Sequence, residues 1–154
     1  MEAFLKTLIT LVIAIAGYIA SKAIEYRGLY NIPKPRRDAL KGRWEGTAAQ
    51  HAGPEGPPSE YRVVIQFSIF WKFVRGVAFY ELDNQKTHLK LFGGFYDNHI
   101  LRLNYRNERA AVIQYGLVLL DFSSDTNQLN GSFLGYGHVH EQIVTGEISL
   151  ERKL

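Results

Sequence analysis

The pattern of apolar residues divides this chain into two regions. Residues Phe4–Ile24 are almost continuously apolar, and Lys6 and Lys22 are the only charged residues among them. A helix of roughly 20 apolar residues crosses the hydrocarbon core of a membrane, and lysines near its ends extend their ammonium groups to the interfaces. The pattern therefore predicts one transmembrane helix within residues 1–25. The residues that we expect to mark the span are Phe4, Leu8, Leu11, Ile15, Ala16, Gly17, Ala20 and Ile24.

The flanking charges predict how this helix is oriented. Six basic residues follow it between positions 27 and 43, and such a flank stays in the cytoplasm. We therefore expect a single-pass protein whose C-terminal domain is cytoplasmic. Small residues four apart, Ala16 with Ala20 and Gly17 with Ser21, favour close approach of a second helix. Two other interpretations stay open, namely a signal peptide cleaved near Ser21 and a buried helix of a soluble core.

After residue 41 the apolar residues alternate with polar ones. Between the two patterns, residues 26–40 contain Pro33 and Pro35, which argue against a continuous helix, and we predict a basic juxtamembrane linker there. The rest of the chain, 41–154, contains eight segments that are rich in β-branched and aromatic residues and bounded by turn residues. The predicted strands are 43–50, 60–69, 72–82, 87–95, 99–106, 112–122, 128–136 and 142–151.

Alternation within these strands predicts one buried face. In the fifth strand Leu101, Leu103 and Tyr105 share a face, and Arg102 and Arg106 lie on the other. The turns are mostly short, which favours an antiparallel up-and-down order. Closing such a sheet into a barrel removes its edges. We therefore predict an all-β, lipocalin-like, eight-stranded antiparallel barrel that is preceded by one transmembrane helix and binds a ligand.

Composition narrows the possible partners. The 154 residues include no cysteine, so disulfides and thiolate metal sites are excluded. The formal net charge is +3, and most of the excess lies between Lys22 and Arg43. A charge excess confined to this region indicates anionic lipid headgroups as a partner, and not DNA or RNA.

The residues show no constellation that is typical of catalysis. Among the five histidines, only His138 and His140 are spaced to share one side of a strand, and no recognised ligand spacing adds a third ligand. Phosphate-cradling loops and nucleophile elbows are absent from the sequence. We therefore predict a protein that is not an enzyme and has no cofactor or metal.

Four sequence segments resemble a known family. They are GRWEG at the first strand, LRLNYRN in the fifth, LNGSFLGYG in the seventh and VTGEISLER in the last. Together with the preceding apolar helix, their order is similar to that of the membrane-anchored β-barrel effectors of bacterial cyclic-oligonucleotide-based antiphage signalling (CBASS). The usual members carry two membrane helices, whereas this sequence shows one.

The resemblance implies a specific function at the bacterial inner membrane. In that family the barrel binds a cyclic dinucleotide, the chains form a homo-oligomer, and the gathered helices disrupt the lipid bilayer and kill the infected cell. No matched motif fixes the ligand residues, so we chose them by their chemistry. We expect Arg75 and Arg106 to bind phosphates, Asn107 to bind a base edge, and tyrosines to stack or contact ribose; these are Tyr80, Tyr105 and Tyr136.

A second interpretation belongs to another class. The apolar faces of residues 61–70 and 113–122 suit a membrane-anchored, lipocalin-like module that binds an apolar ligand or a protein partner. The barrel interior discriminates between the two, because an anionic dinucleotide requires at least two inward cationic groups, whereas a fatty ligand tolerates one at most.

Overall fold

The computed structural model describes residues 2–51, 58–123, 125, 127–137 and 141–153. Two helices precede eight strands. The helices are α1 (Glu2–Glu25) and α2 (Lys34–Leu40). The strands are β1 (Gly42–His51), β2 (Ser59–Phe70), β3 (Phe73–Leu82), β4 (Gln85–Phe95), β5 (Ile100–Asn107), β6 (Tyr115–Ser123), β7 (Gln128–Gly137) and β8 (Gln142–Lys153). All eight predicted strands are confirmed. The sixth begins at Tyr115 and not at residue 112, because a turn forms there in which the Val112 N–H donates to the Arg109 carbonyl.

The strands form a closed barrel in chain order, as predicted. Each strand pairs antiparallel with the next, and β1 also pairs with β8, from Arg43 opposite Lys153 to His51 opposite Thr145. Closure leaves none of the eight strands with an unpaired edge. Asp83 and Asn84 form the turn of the hairpin between β3 and β4. Their φ angles of 51° and 61° are those of a two-residue turn whose twist matches the twist of the flanking antiparallel strands.

Alternate residues of each strand fill the barrel. Leu101 and Leu103 of β5 and Leu150 of β8 are fully buried, so the inward face predicted for the fifth strand is confirmed. Arg102 and Arg106, which alternate with them, lie on the outer wall.

One end of the barrel is closed by the segment that the sequence presented as a linker. Helix α2 has Pro35 in its first turn, where proline is tolerated, and its last residue, Leu40, is completely buried together with Ile32. The Trp44 indole Nε1 donates to the Leu40 carbonyl at 2.8 Å, and its ring packs edge-to-face against Phe122. Trp44 therefore plugs this end, and the segment predicted as a linker is a folded part of the plug.

Helix α1 lies apart from the barrel core. Its segment Phe4–Ile24 is long and apolar enough to cross a membrane, and none of that apolar window is buried within the protein. A signal sequence near an N-terminus meets the same criteria of length and composition. The end of the helix is attached to the outer wall, where the Tyr26 ring packs edge-to-face against Phe73 and Phe92.

Candidate ligand site at the open end of the barrel

The end of the barrel opposite Trp44 holds a small open cavity. Its volume is about 60 Å³, room for roughly four to six water molecules. Aliphatic side chains line its lower part, and polar side chains surround its mouth. The lining residues are Ala48, Gln50, Tyr61, Val63, Ile65, Ala78, Tyr80, Leu89, Leu91, Tyr105, Gln114, Val118, Phe133, Val144 and Ile148.

Three inward-facing tyrosines form the aromatic part of the site. Tyr61 of β2 and Tyr80 of β3 have ring centroids 4.9 Å apart, and Tyr105 of β5 also lines the cavity. Burial raises the pKa of all three phenols, to about 12 for Tyr105. These groups therefore stay neutral near pH 7 and offer aromatic surfaces and hydroxyl groups, not charge.

Amide side chains hold this mouth in a hydrogen-bonded network. The Gln114 Nε2 donates to the Tyr80 hydroxyl at 2.5 Å, and the Asn107 Nδ2 donates to the Gln114 Oε1 at 2.9 Å. Across the cavity, the Tyr61 hydroxyl donates to the Gln50 Oε1 at 3.4 Å. Both glutamines are buried, so these bonds compensate for the loss of water around their amides.

Glycines on two neighbouring strands make room for Tyr105. A Cβ atom added at Gly116 or at Gly135 would clash with the Tyr105 hydroxyl and with strand backbone. The Tyr105 ring therefore extends over the backbone of β6 and β7, at positions where every other residue type is too large. This packing fixes the ring at one side of the cavity.

The cavity has no charged side chain among the described residues that line it. An ion transferred into such a neutral space loses its hydration without a compensating partner. The site therefore suits an uncharged group with a flat face and a polar edge, and it is too small to enclose a whole dinucleotide.

The structure brings together some of the residues predicted from the sequence and separates others. Tyr80 and Tyr105 line the cavity, and Asn107 reaches it through Gln114. The remaining three lie on the outer wall, because the alternation of a strand turns every second side chain outward. They are Arg75, Arg106 and Tyr136.

On the outer wall, these three residues belong to different surfaces. The Tyr136 ring stacks on Tyr115, with centroids 6.4 Å apart. Arg75 and Arg106 line one groove beside helix α1. The two arginines therefore line the same groove, but it lies outside the barrel.

Three polar residues of the mouth were missed by the sequence analysis. Tyr61 shares the inward alternation of Val63 and Ile65, which is a signal that the sequence carries. Gln50 shares the inward alternation of Trp44 and Ala48 in β1, which is again a signal that the sequence carries. Gln114 lies just before β6, where no alternation indicates its direction.

The described residues contain no group of three histidine, aspartate or glutamate side chains placed to hold a metal ion. His138 and His140 lie outside the described residues. No protein-family profile matches this chain, and no curated protein is significantly similar to it.

Proposed function

We propose that this protein is a single-span membrane effector whose barrel senses a nucleotide second messenger by taking a nucleobase into its open end. The observation that carries the proposal is the neutral cavity surrounded by three tyrosines and two buried glutamines. Aromatic faces stack on bases, and amides pair with base edges. A fatty chain has no use for this set of hydrogen-bonding groups.

The cavity also defines how a cyclic dinucleotide would sit. Its volume of about 60 Å³ holds only the edge of one ring system, since a cavity that encloses benzene measures about 150 Å³, and its neutral lining leaves the phosphodiesters in solvent at the rim. We therefore infer that the edge of one base enters beside Tyr61, Tyr80 and Tyr105 and that the amides of Gln114 and Asn107 reach it. The phosphates contribute to binding through long-range attraction to the positively charged protein, and they form no ion pairs inside the cavity.

Helix α1 supplies the membrane half of the proposal. The basic residues after it orient the barrel toward the cytoplasm, and confinement to the bilayer raises the effective concentration of neighbouring chains. A ligand that favours the associated form by a few kcal/mol is then enough to gather the helices. In a bacterium infected by a phage, gathered helices that disrupt the inner membrane would kill the cell and so stop the infection.

The outer wall offers a contact surface for the homo-oligomer. An apolar patch covers β6, β7 and the start of β8, where Leu134 and Ile143 are 52% and 69% exposed and Tyr115 stacks on Tyr136. Soluble domains rarely leave such a patch uncovered. We assign it to contacts between barrels that form when the ligand is bound.

The second candidate is a membrane-anchored, lipocalin-like module for an apolar ligand. Most of the cavity lining is aliphatic or aromatic, and none of its described residues is cationic. With fewer than two inward cations, the described lining favours an apolar ligand over an enclosed anionic dinucleotide, so the base-binding proposal requires that the phosphates stay outside the cavity. The two functions differ in what the amides do, because an apolar ligand leaves Gln114 bonded to Tyr80 and Asn107 while a base competes for these partners.

A binding titration separates the two candidates. Full-length protein in detergent micelles is titrated with a panel of cyclic dinucleotides and trinucleotides and, separately, with a fatty acid and a retinoid. Calorimetry and thermal shift report binding, and a ligand at a hundredfold excess over its Kd stabilises the fold by roughly 2.7 kcal/mol. Binding of one cyclic nucleotide, weakened by Gln114→Met, supports the effector. Binding of the apolar ligands alone refutes it.

The membrane step has its own test. The protein is reconstituted in vesicles that contain a fluorescent dye, and the identified nucleotide is added. The effector proposal requires dye release that depends on the nucleotide. A chain that binds the nucleotide tightly but releases no dye at any protein density would refute membrane disruption and leave the ligand assignment standing.

A further inference from the structure

An open groove separates the last turns of α1 from the outer wall of the barrel. Its volume is about 1030 Å³. On the helix side it is lined by Tyr18, Lys22 and Tyr26, and on the wall side by residues of β2 to β5. The end of the helix is held there by the Tyr26 ring and by Lys72, whose Nζ donates to the Tyr26 carbonyl at 3.4 Å.

Cations from the helix and the wall meet in this groove. Lys22, Arg75, Lys90 and Arg106 line it, and the described lining includes no carboxylate. Lys90 and Arg106 lie directly opposite each other on β4 and β5, and like charges in that position destabilise a sheet. Glu108, at 3.5 Å from Lys90, offsets one of these charges only.

The two arginines are available to an anion. Arg75 lies over the Phe92 ring, which holds its guanidinium in the groove without neutralising it. In the part of the chain that the structure describes, neither Arg75 nor Arg106 is paired with a carboxylate. A planar guanidinium binds two oxygens of a phosphate at once.

The groove lies at a defined depth relative to the apolar segment of α1. That segment ends at Ile24, and the helix side of the groove runs from Tyr18 to Tyr26. When α1 spans the bilayer, the groove therefore extends from about 9 Å inside the apolar layer to the membrane interface, with Lys22 near the interface. Lysine and tyrosine are the residues that occupy this level, with their apolar parts toward the lipid and their polar ends at the headgroups.

We propose that this groove binds the phosphate headgroup of an anionic phospholipid between Lys22 of the helix and Arg75 and Arg106 of the barrel wall. The inference rests on the membrane half of the proposed function and not on the nucleotide. The bound headgroup offsets the repulsion among the cations. It also fixes the β3 to β5 wall against the membrane, with the barrel held beside the helix and not free on a tether.

The test uses Trp71 as an intrinsic probe. Trp71 is 58% exposed and packs against Phe73 at the groove, whereas Trp44 is fully buried inside the barrel. Full-length protein is reconstituted in phosphatidylcholine vesicles that contain a small fraction of brominated lipid, which quenches tryptophan at short range. The quenching by brominated phosphatidylglycerol is compared with that by brominated phosphatidylcholine at equal fractions.

We expect several-fold stronger quenching by the anionic lipid. Each basic residue at a membrane surface contributes on the order of fivefold in binding an anionic lipid, so the double variant Arg75→Gln/Arg106→Gln should lose the preference. Both side chains lie on the outer wall, so the barrel core is unchanged. The matched control, Arg109→Gln/Lys153→Gln, removes the same charge from exposed sites outside the groove and should quench as the wild type does.

Three results would overturn the proposal, each in a different way. Equal quenching by both lipids in membrane-inserted wild-type protein refutes the headgroup site alone. Protein that is washed from the vesicles by alkaline carbonate refutes the span, and the headgroup site with it. A change in Trp71 emission on adding cyclic di-AMP or inorganic phosphate to phosphatidylcholine vesicles, lost in the double variant, assigns the groove to a soluble anion. None of these results depends on whether a nucleotide binds at the mouth.

Discussion

Filling the cavity at the open end should remove ligand binding without unfolding the barrel. Ala48 and Ala49 are consecutive residues of β1, and only Ala48 faces the cavity. Ala48→Leu places an isobutyl group where the ligand ring would lie, and Ala49→Leu places the same group on the outer wall. The pair therefore changes the same atoms on opposite sides of one strand.

The size of the cavity sets the limit for the effect on stability. Filling about 60 Å³, at about 24 cal/mol per Å³ of cavity, stabilises the fold by at most about 1.4 kcal/mol. Imperfect fit of an added side chain typically costs about 1 to 3 kcal/mol. These terms oppose each other, so we expect a net change within about 1.5 kcal/mol in the free energy of unfolding.

Calorimetry of the two variants measures ligand affinity, and urea unfolding measures their stability. We expect Ala48→Leu to weaken ligand binding at least about tenfold, equivalent to about 1.4 kcal/mol, and Ala49→Leu to bind as the wild type does. A folded Ala48→Leu protein with wild-type affinity would refute the cavity as the site. If Ala48→Leu does not fold, Gln114→Met gives the same decision, because it removes the amide while keeping a side chain of similar length.

Three further predictions concern the parts of the barrel that support the site. The contribution of Tyr105 to stability should be constant below pH 10 and be lost between pH 10 and about 12, because the unfolded chain loses its phenolic protons before folded Tyr105 does, with a pKa of about 12. Urea unfolding across this pH range measures the loss, and a flat profile from about pH 9 to 12 would contradict the buried phenol. Trp44→Ala should destabilise the barrel by about 3 to 5 kcal/mol, because it leaves a cavity at the closed end. Thermal unfolding measures this change, and a loss of stability below about 1 kcal/mol would show that Trp44 is not the plug. Asn84→Val should lower the free energy of unfolding by about 1 to 3 kcal/mol, because residue 84 has a φ angle of 61° that a β-branched residue rarely adopts. Asn84→Gly should be neutral or stabilising. Equal stability of the two variants in urea unfolding would rule out this turn geometry.

The barrel itself could be predicted because its strands carry a regular signal. In β5 the alternation of Leu101 and Leu103 with Arg102 and Arg106 gives both the strand and its buried face, and the structure confirms both. The same alternation already placed Arg106 on the face opposite to Tyr105. Assigning both residues to one enclosed ligand followed side-chain chemistry and disregarded this parity.

Two parts of the barrel ends could not be predicted, namely the helix of the plug and one side of the mouth. The segment 34–40 is short, basic and interrupted by Pro35, and nothing in it signals that Leu40 becomes fully buried. Gln114 lies between strands, and it lines the same cavity as Gln50 of β1 only because the barrel closes. Its burial is a tertiary property, so no local pattern carries it.

The wall between the two proposed sites provides a direct route for coupling them. Tyr105 and Arg106 are consecutive residues of β5, and one lines the cavity while the other lines the groove beside α1. The Tyr105 hydroxyl is packed against Gly116 and Gly135, so we expect a ligand that displaces the ring toward them to shift β5 and, with it, Arg106. Such coupling is reciprocal. Nucleotide affinity in nanodiscs should therefore differ between phosphatidylcholine and phosphatidylglycerol, and Arg75→Gln/Arg106→Gln should remove the difference. Equal wild-type affinities in the two lipids would mean that ligand sensing and membrane attachment are independent, and that signalling to α1 runs through contacts between barrels.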